Sequence, residues 1–167
     1  MRRVALYMVV LLAVVCHGCG IYSFSGASIP PEAKTVSVLY FPNQAPLINP
    51  LLSDQFTSAL RDAMMNQTSL DMVESEGDLA FEGEIVDYRT TPVAITSDQT
   101  AALNRLTITV NVRFVNTFDE TKSFETKFSH YEDYPSEQEL TSVQESLTSV
   151  IVEALVEDIF NKALVNW

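Results

Sequence analysis

Cysteine, glycine, histidine and basic residues are all scarce in this chain. There are two cysteines, Cys16 and Cys19, among 167 residues. Everything after Cys19 therefore lacks a thiol for a disulfide, a metal ligand or a nucleophile. Five glycines leave little material for a phosphate-cradling loop, and no Gly-x-Gly-x-x-Gly occurs. The only histidines are His17 and His130, too few for a typical metal site. Serines are plentiful, but none stands in Gly-x-Ser-x-Gly. Ten Lys and Arg face 22 Asp and Glu, for a formal charge of −12. Phosphate neutralisation needs clustered cations, so nucleic acid is not an expected partner. The same balance repels an anionic lipid surface.

The remaining candidates for chemistry are weak. Glu82 and Glu84 lie two apart on a strand pattern and share a face, which could resemble a carboxylate pair. That face is the polar one, and a solvated surface accounts for them better. The acids from Asp71 to Glu76, with Asp78, lack the spacing of a calcium loop. His130 reads as a surface or edge-strand residue. No catalytic residue, metal or cofactor is expected, and the chain reads as a non-enzyme.

At the N-terminus, Arg2 and Arg3 precede an uncharged, largely apolar run from Val4 to Val15. That run falls short of the roughly twenty residues that cross a bilayer and has the flanks of a secretory signal. Cys16-His17-Gly18-Cys19 follows, placing a small residue directly before a cysteine, as lipoprotein signal peptidases require. Cys16 stands where Leu is usual, three before Cys19. Taking Cys16 itself as the modified residue would put Val15 at the cleavage position, a poorer fit. The expectation is a signal peptide over 1–18 and acylation of Cys19, with an ordinary secretory signal as the alternative. Two or three acyl chains would hold the protein on a membrane stably, where one holds only marginally. Loss of Arg2 and Arg3 would make the charge more negative still.

Residues 19–34 read as a lipidated tether and 35–167 as one folded domain. Thr35 to Phe41 has the β-branched and aromatic character of a strand. Asn49-Pro50 looks like a helix start, and Leu52, Phe56, Leu60 and Ala63 form one apolar stripe, predicting a helix over about 50–66. Strands are predicted over 78–90, 103–115 and 123–134. In the clearest of them Leu106, Ile108, Val110, Val112 and Phe114 alternate with Arg105, Thr107, Thr109, Asn111 and Arg113. Ser136 with Glu139 suggests a capping box opening a helix over 136–164. The irregular stretch 91–102 reads as a long loop. The order β-α-β-β-β-α, with one apolar sheet face, predicts an α+β fold: two helices on one face of a four-stranded, mostly antiparallel sheet.

Half of the basic residues after Cys19 fall on predicted strands: Arg89, Arg105, Arg113 and Lys127. They could form a cationic patch for phosphate or carboxylate. Cross-strand pairing with Glu82, Glu84 and Glu125 is the competing and favoured reading.

Four stretches resemble one family: Cys19-Gly-Ile-Tyr-Ser-Phe-Ser-Gly-Ala-Ser28, Phe81-Glu-Gly-Glu-Ile-Val-Asp-Tyr-Arg89, Leu103-Asn-Arg-Leu-Thr-Ile-Thr-Val110 and Val156-Glu-Asp-Ile-Phe-Asn-Lys162. Together they resemble the LptE family of lipopolysaccharide-assembly lipoproteins. The resemblance implies a lipid-anchored protein of the outer membrane, facing the periplasm. Such a protein plugs an LptD-type β-barrel and helps it deliver lipopolysaccharide to the cell surface. It also implies lipopolysaccharide contact through basic residues, for which Arg89, Arg105, Arg113 and Lys127 are the candidates here. The rival reading is an auxiliary lipoprotein of another envelope transport system.

Overall fold

Period-two alternation becomes a sheet with one dry face and one wet face. The computed structural model describes residues 29–47, 49–93 and 102–165. In chain order they form β1 (Thr35–Val38), α1 (Leu52–Gln67), β2 (Asp71–Val73), β3 (Leu79–Val93), β4 (Leu103–Asn116), a 3-10 turn (Glu120–Lys122), β5 (Phe124–Pro135) and α2 (Leu140–Leu164). The α+β class and the two helices are as expected, but the sheet has five strands, in the order β2-β1-β3-β4-β5. It is also mixed. β1 runs parallel to both β2 and β3, while β3–β4 and β4–β5 are antiparallel. The four-stranded, mostly antiparallel expectation is corrected on both points. β2 has only three residues, inside a stretch whose acids read as loop, so it is too short to show a period.

The core lies between the sheet and the helices. Leu106, Ile108, Val110, Val112 and Phe114 of β4 are fully buried, as are Leu79, Phe81 and Ile85 of β3. Phe81, Phe114, Phe124 and Phe128 make a chain of ring contacts across three strands, with successive centroids 4.8, 5.4 and 6.2 Å apart. Helix α1 packs on β1 and β2, α2 packs on β4 and β5, and the two helices touch each other. Leu60, Leu155 and Ile159 are among the side chains they bury completely. Ile29 and Ala33, at the end of the expected tether, also pack on this core.

Local choices fix the details. The expected helix start at Asn49-Pro50 is corrected: α1 begins at Leu52 with Leu51 at the N-cap and no side-chain cap, while the Asn49 carboxamide oxygen accepts from Leu51 N at 3.1 Å in the turn just before it. The second capping expectation is corrected. Helix α2 starts at Leu140, and Glu139 makes no side-chain cap. Ser136 instead sits in a turn, where its N–H donates to Ala102 O at 3.0 Å, closing the β4–β5 end. At 25 residues the helix is still about 37 Å long. Strand β3 continues to Val93, so the loop expected from 91 begins later, and 94–101 lie outside the described residues.

Two long-range clasps hold the parallel half together. The Asp78 carboxylate accepts from Lys34 N at 2.8 Å and Thr35 N at 2.9 Å, while Asp78 N donates to Thr35 Oγ1 at 2.9 Å. These bonds, backbone amides first, hold the Asp78 carboxyl below its ordinary pKa. Beyond β1 the chain leaves the sheet and returns, Asn43 bridging to Ile85. Phe41 fills the space this leaves, its N–H donating to Thr57 Oγ1 at 3.1 Å and its ring meeting Phe56 edge-on at 5.0 Å.

Candidate functional site: the uncovered face of the sheet

The face of β3, β4 and β5 away from the helices carries the charged residues. In the hairpin pairing, Phe114 stands opposite Phe124 and Arg105 opposite Asp133, so odd-numbered residues of both strands point outward together. A one-residue irregularity between Ile85 and Asp87 resets the phase of β3. As a result Glu82, Glu84, Asp87 and Arg89 all reach that face.

All four basic candidates from the sequence lie there, and three of them are neutralised. Arg105 grips Asp133 with two parallel bonds, Nε to Oδ1 at 2.7 Å and Nη2 to Oδ2 at 2.9 Å, the fork geometry that favours arginine over lysine. Its guanidinium also lies 3.6 Å from the ring centre of Tyr131. The bond to Asp133 raises the pKa of Arg105, and the same bond lowers that of Asp133. Arg113 Nη1 meets Glu82 Oε1 at 2.6 Å, and Arg89 pairs with Asp87. Lys127 is exposed and has no acid partner among the described residues. Between these pairs, Asn111 Nδ2 donates to Glu125 Oε1 at 3.0 Å, and the hydroxyls of Thr109 and Ser129 share a bond of 2.9 Å.

The surface is thus a lattice of compensated charges with exposed aromatic side chains, Tyr131 on β5 and Tyr40 beyond β1. It suits many directional polar contacts better than Coulombic capture of an anion. Cross-strand pairing, favoured at the outset, accounts for Arg113 with Glu82. The acids on Arg105 and Arg89, Asp133 and Asp87, were not singled out from sequence. The hairpin turn after Asn116 could have identified Asp133, because the turn sets which residues of β4 and β5 oppose each other. His130 sits on edge strand β5, as read, but on the helix side, where Nε2 lies 2.7 Å from Asp158 Oδ2 of α2. Glu82 and Glu84 share the outer face and do not enclose a site. Cys19 lies outside the described residues. No helix among the described residues is long and apolar enough to cross a membrane.

Two helices cover one side of a mixed five-stranded sheet, and the other side is open and polar. The family model for LptE, described as lipopolysaccharide-assembly, matches residues 33–163, and the chain belongs to that family. Among curated proteins no sequence matches it. Solved structures share the fold at low identity. A minor lipoprotein from Acinetobacter baumannii is similar at 11% identity and a TM-score of 0.50, with 78% of this chain and 91% of that one covered. The hypothetical protein CT253 from Chlamydia trachomatis is similar at 10% identity and a TM-score of 0.51, with 80% and 100% covered.

Proposed function

We propose that this chain is a non-catalytic lipoprotein, acylated on Cys19 and held on the periplasmic side of the outer membrane, that assists lipopolysaccharide delivery by plugging an LptD-type β-barrel. The observation that carries this reading is the family match, which spans nearly the whole folded part of the chain. The Cys16-His17-Gly18-Cys19 segment supports the lipid anchor.

The uncovered sheet face supports the plugging role. A barrel lumen offers polar walls, and a surface of paired arginines, amides and hydroxyls can meet them bond for bond without leaving a charge buried alone. Lipopolysaccharide contact through Arg89, Arg105, Arg113 and Lys127 belongs to the same proposal, and the ion pairs set its terms. A lipid phosphate must displace Asp87, Asp133 or Glu82 from its arginine, whereas Lys127 can meet it directly. Lys127 is therefore the first contact we assign.

Affinity purification of the tagged, membrane-extracted protein tests the reading. It should bring down a large outer-membrane β-barrel in near-equal amount. Cys19→Ala should move the protein from the membrane to the soluble fraction. Purification without a barrel partner, or membrane retention of the Cys19→Ala protein, would count decisively against it.

A further inference from the structure

The two helices run in the same direction, and a furrow follows the seam between them on the side away from the sheet. At one end the N-terminal part of α1 faces Thr141 to Thr148; at the other, Ala63 and Gln67 face Val156 to Asn161. The two halves share Gln55 and Ser58 in their walls and hold about 620 and 670 Å³ of open space. Small residues on α1, Ala59 and Ala63, open the seam above Val152 and Val156.

The walls carry charge of one sign. Asp54 and Glu145 line the first half, and Asp62, Glu153 and Glu157 line the second. All five are exposed, and none takes part in an ion pair among the described residues. The cations on these helices are engaged elsewhere. Arg61 donates twice to Val38 O, at 3.1 and 2.8 Å, and Lys162 sits 5.0 Å from the Phe124 ring centre, towards β5. Because the helices are parallel, both of their negative ends lie at the same end of the furrow, adding to the acids there.

A second observation points to an occupant. Thr148 lines the furrow at 1% exposure, yet among the described residues its Oγ1 has no hydrogen-bond partner, and the same holds for the adjoining Tyr88 Oη. Burial pushes the Tyr88 phenol up, against a smaller pull from the nearby Thr148 and Asn49 side chains. Buried hydroxyls are ordinarily satisfied, and an unsatisfied one at the base of a furrow is available to an incoming polar group.

We infer that this furrow is a docking site for a basic segment of another protein, with lysine or arginine side chains flanking an apolar anchor. The anchor fits the Ala59–Val152 seam, the cations meet the acid rim, and a polar group reaches Thr148. An anionic lipid is repelled by the same rim. Residues 19–28 and 94–101 contain no lysine or arginine. This inference does not depend on the barrel reading.

Fluorescence anisotropy on the full mature chain tests it, using a labelled amphipathic peptide of Leu and Lys with oligolysine and a Leu/Glu peptide as comparisons. The Leu/Lys peptide should bind. Neutralising Asp62, Glu153 and Glu157 together (Asp62→Asn, Glu153→Gln, Glu157→Gln) should weaken it about tenfold. Ser149→Trp, which fills the furrow from an exposed position without changing charge, should weaken it comparably. Glu84→Gln with Glu125→Gln, on the opposite face, should change nothing beyond about twofold. Circular dichroism confirms that each variant is folded. Absence of binding, equal binding of oligolysine, insensitivity to Ser149→Trp, or an equal loss from the sheet-face pair would each overturn the assignment. So would a self-associated dimer whose formation the furrow variants abolish.

Discussion

Gly83 stands at the most constrained point of the sheet, and replacing it with alanine is the severest small change the fold offers. Its φ is +156°, and an added Cβ would lie 2.0 Å from Asn111 O on β4 and 2.8 Å from the Phe41 ring. Carbon and oxygen atoms do not approach closer than about 3 Å, so the β3–β4 ladder must open by roughly 1 Å or the Phe41 ring must leave its site. Overpacking of this kind costs about 1–3 kcal/mol, and holding a non-glycine residue in that backbone region adds about 1–3 kcal/mol. Taking roughly 4 kcal/mol for the sum, and about 2–4 °C per kcal/mol for a domain of this size, Gly83→Ala should lower the melting temperature by about 8–16 °C. In an unconstrained position the same substitution stabilises by about 0.4–1 kcal/mol, so even the sign is diagnostic. Thermal unfolding followed by far-ultraviolet circular dichroism reads the effect, with Glu84→Ala, an outward neighbour, as the reference that should stay within about 0.5 kcal/mol of the parent. Phe41→Leu in the Gly83→Ala background should recover part of the loss. An unchanged or raised melting temperature for Gly83→Ala would refute the close-approach reasoning.

Two other perturbations follow from the same packing. The Asp78 carboxyl has a lowered pKa in the folded state and titrates near 3.9 when unfolded. The stability it contributes is therefore complete above about pH 5, and it drains away as pH falls through that unfolded value and then through the folded one. The gap in urea midpoint between parent and Asp78→Ala should shrink accordingly on acidification, and a gap that persists undiminished at low pH would contradict the clasp. Leu155 of α2 is fully buried, so Leu155→Ala should cost about 2–5 kcal/mol in equilibrium urea unfolding; a cost below about 1 kcal/mol would mean that α2 does not seal the core.

The long alternating strands were legible because burial on one face imposes a period of two over many residues. β4 and the β5 face that carries Phe124 and Phe128 follow directly from it. What escaped was short or distant. β2 is only three residues long and acidic in context. Asp78 clasps amides more than 40 residues away, and no local pattern marks such a bond. Ser136 and Glu139 match a capping box locally, but the β4–β5 end claims the Ser136 amide, and tertiary pairing overrides the local signal. The outward placement of Arg105 and Arg113 could be read from alternation. The neutralisation of the arginines could not, because it depends on the register that sets Asp133 opposite Arg105 and on the extra residue in β3 that turns Arg89 outward beside Asp87. Thr148 and Tyr88 look like ordinary interior residues in sequence.

Controlled depletion of the protein in its native host, followed by quantification of lipopolysaccharide at the cell surface and in the inner membrane, addresses the proposed role itself. Surface lipopolysaccharide should fall as the protein is lost while material accumulates behind the block, and the parent sequence, but not Cys19→Ala, should restore delivery in full. Normal surface lipopolysaccharide in fully depleted cells would contradict the assignment.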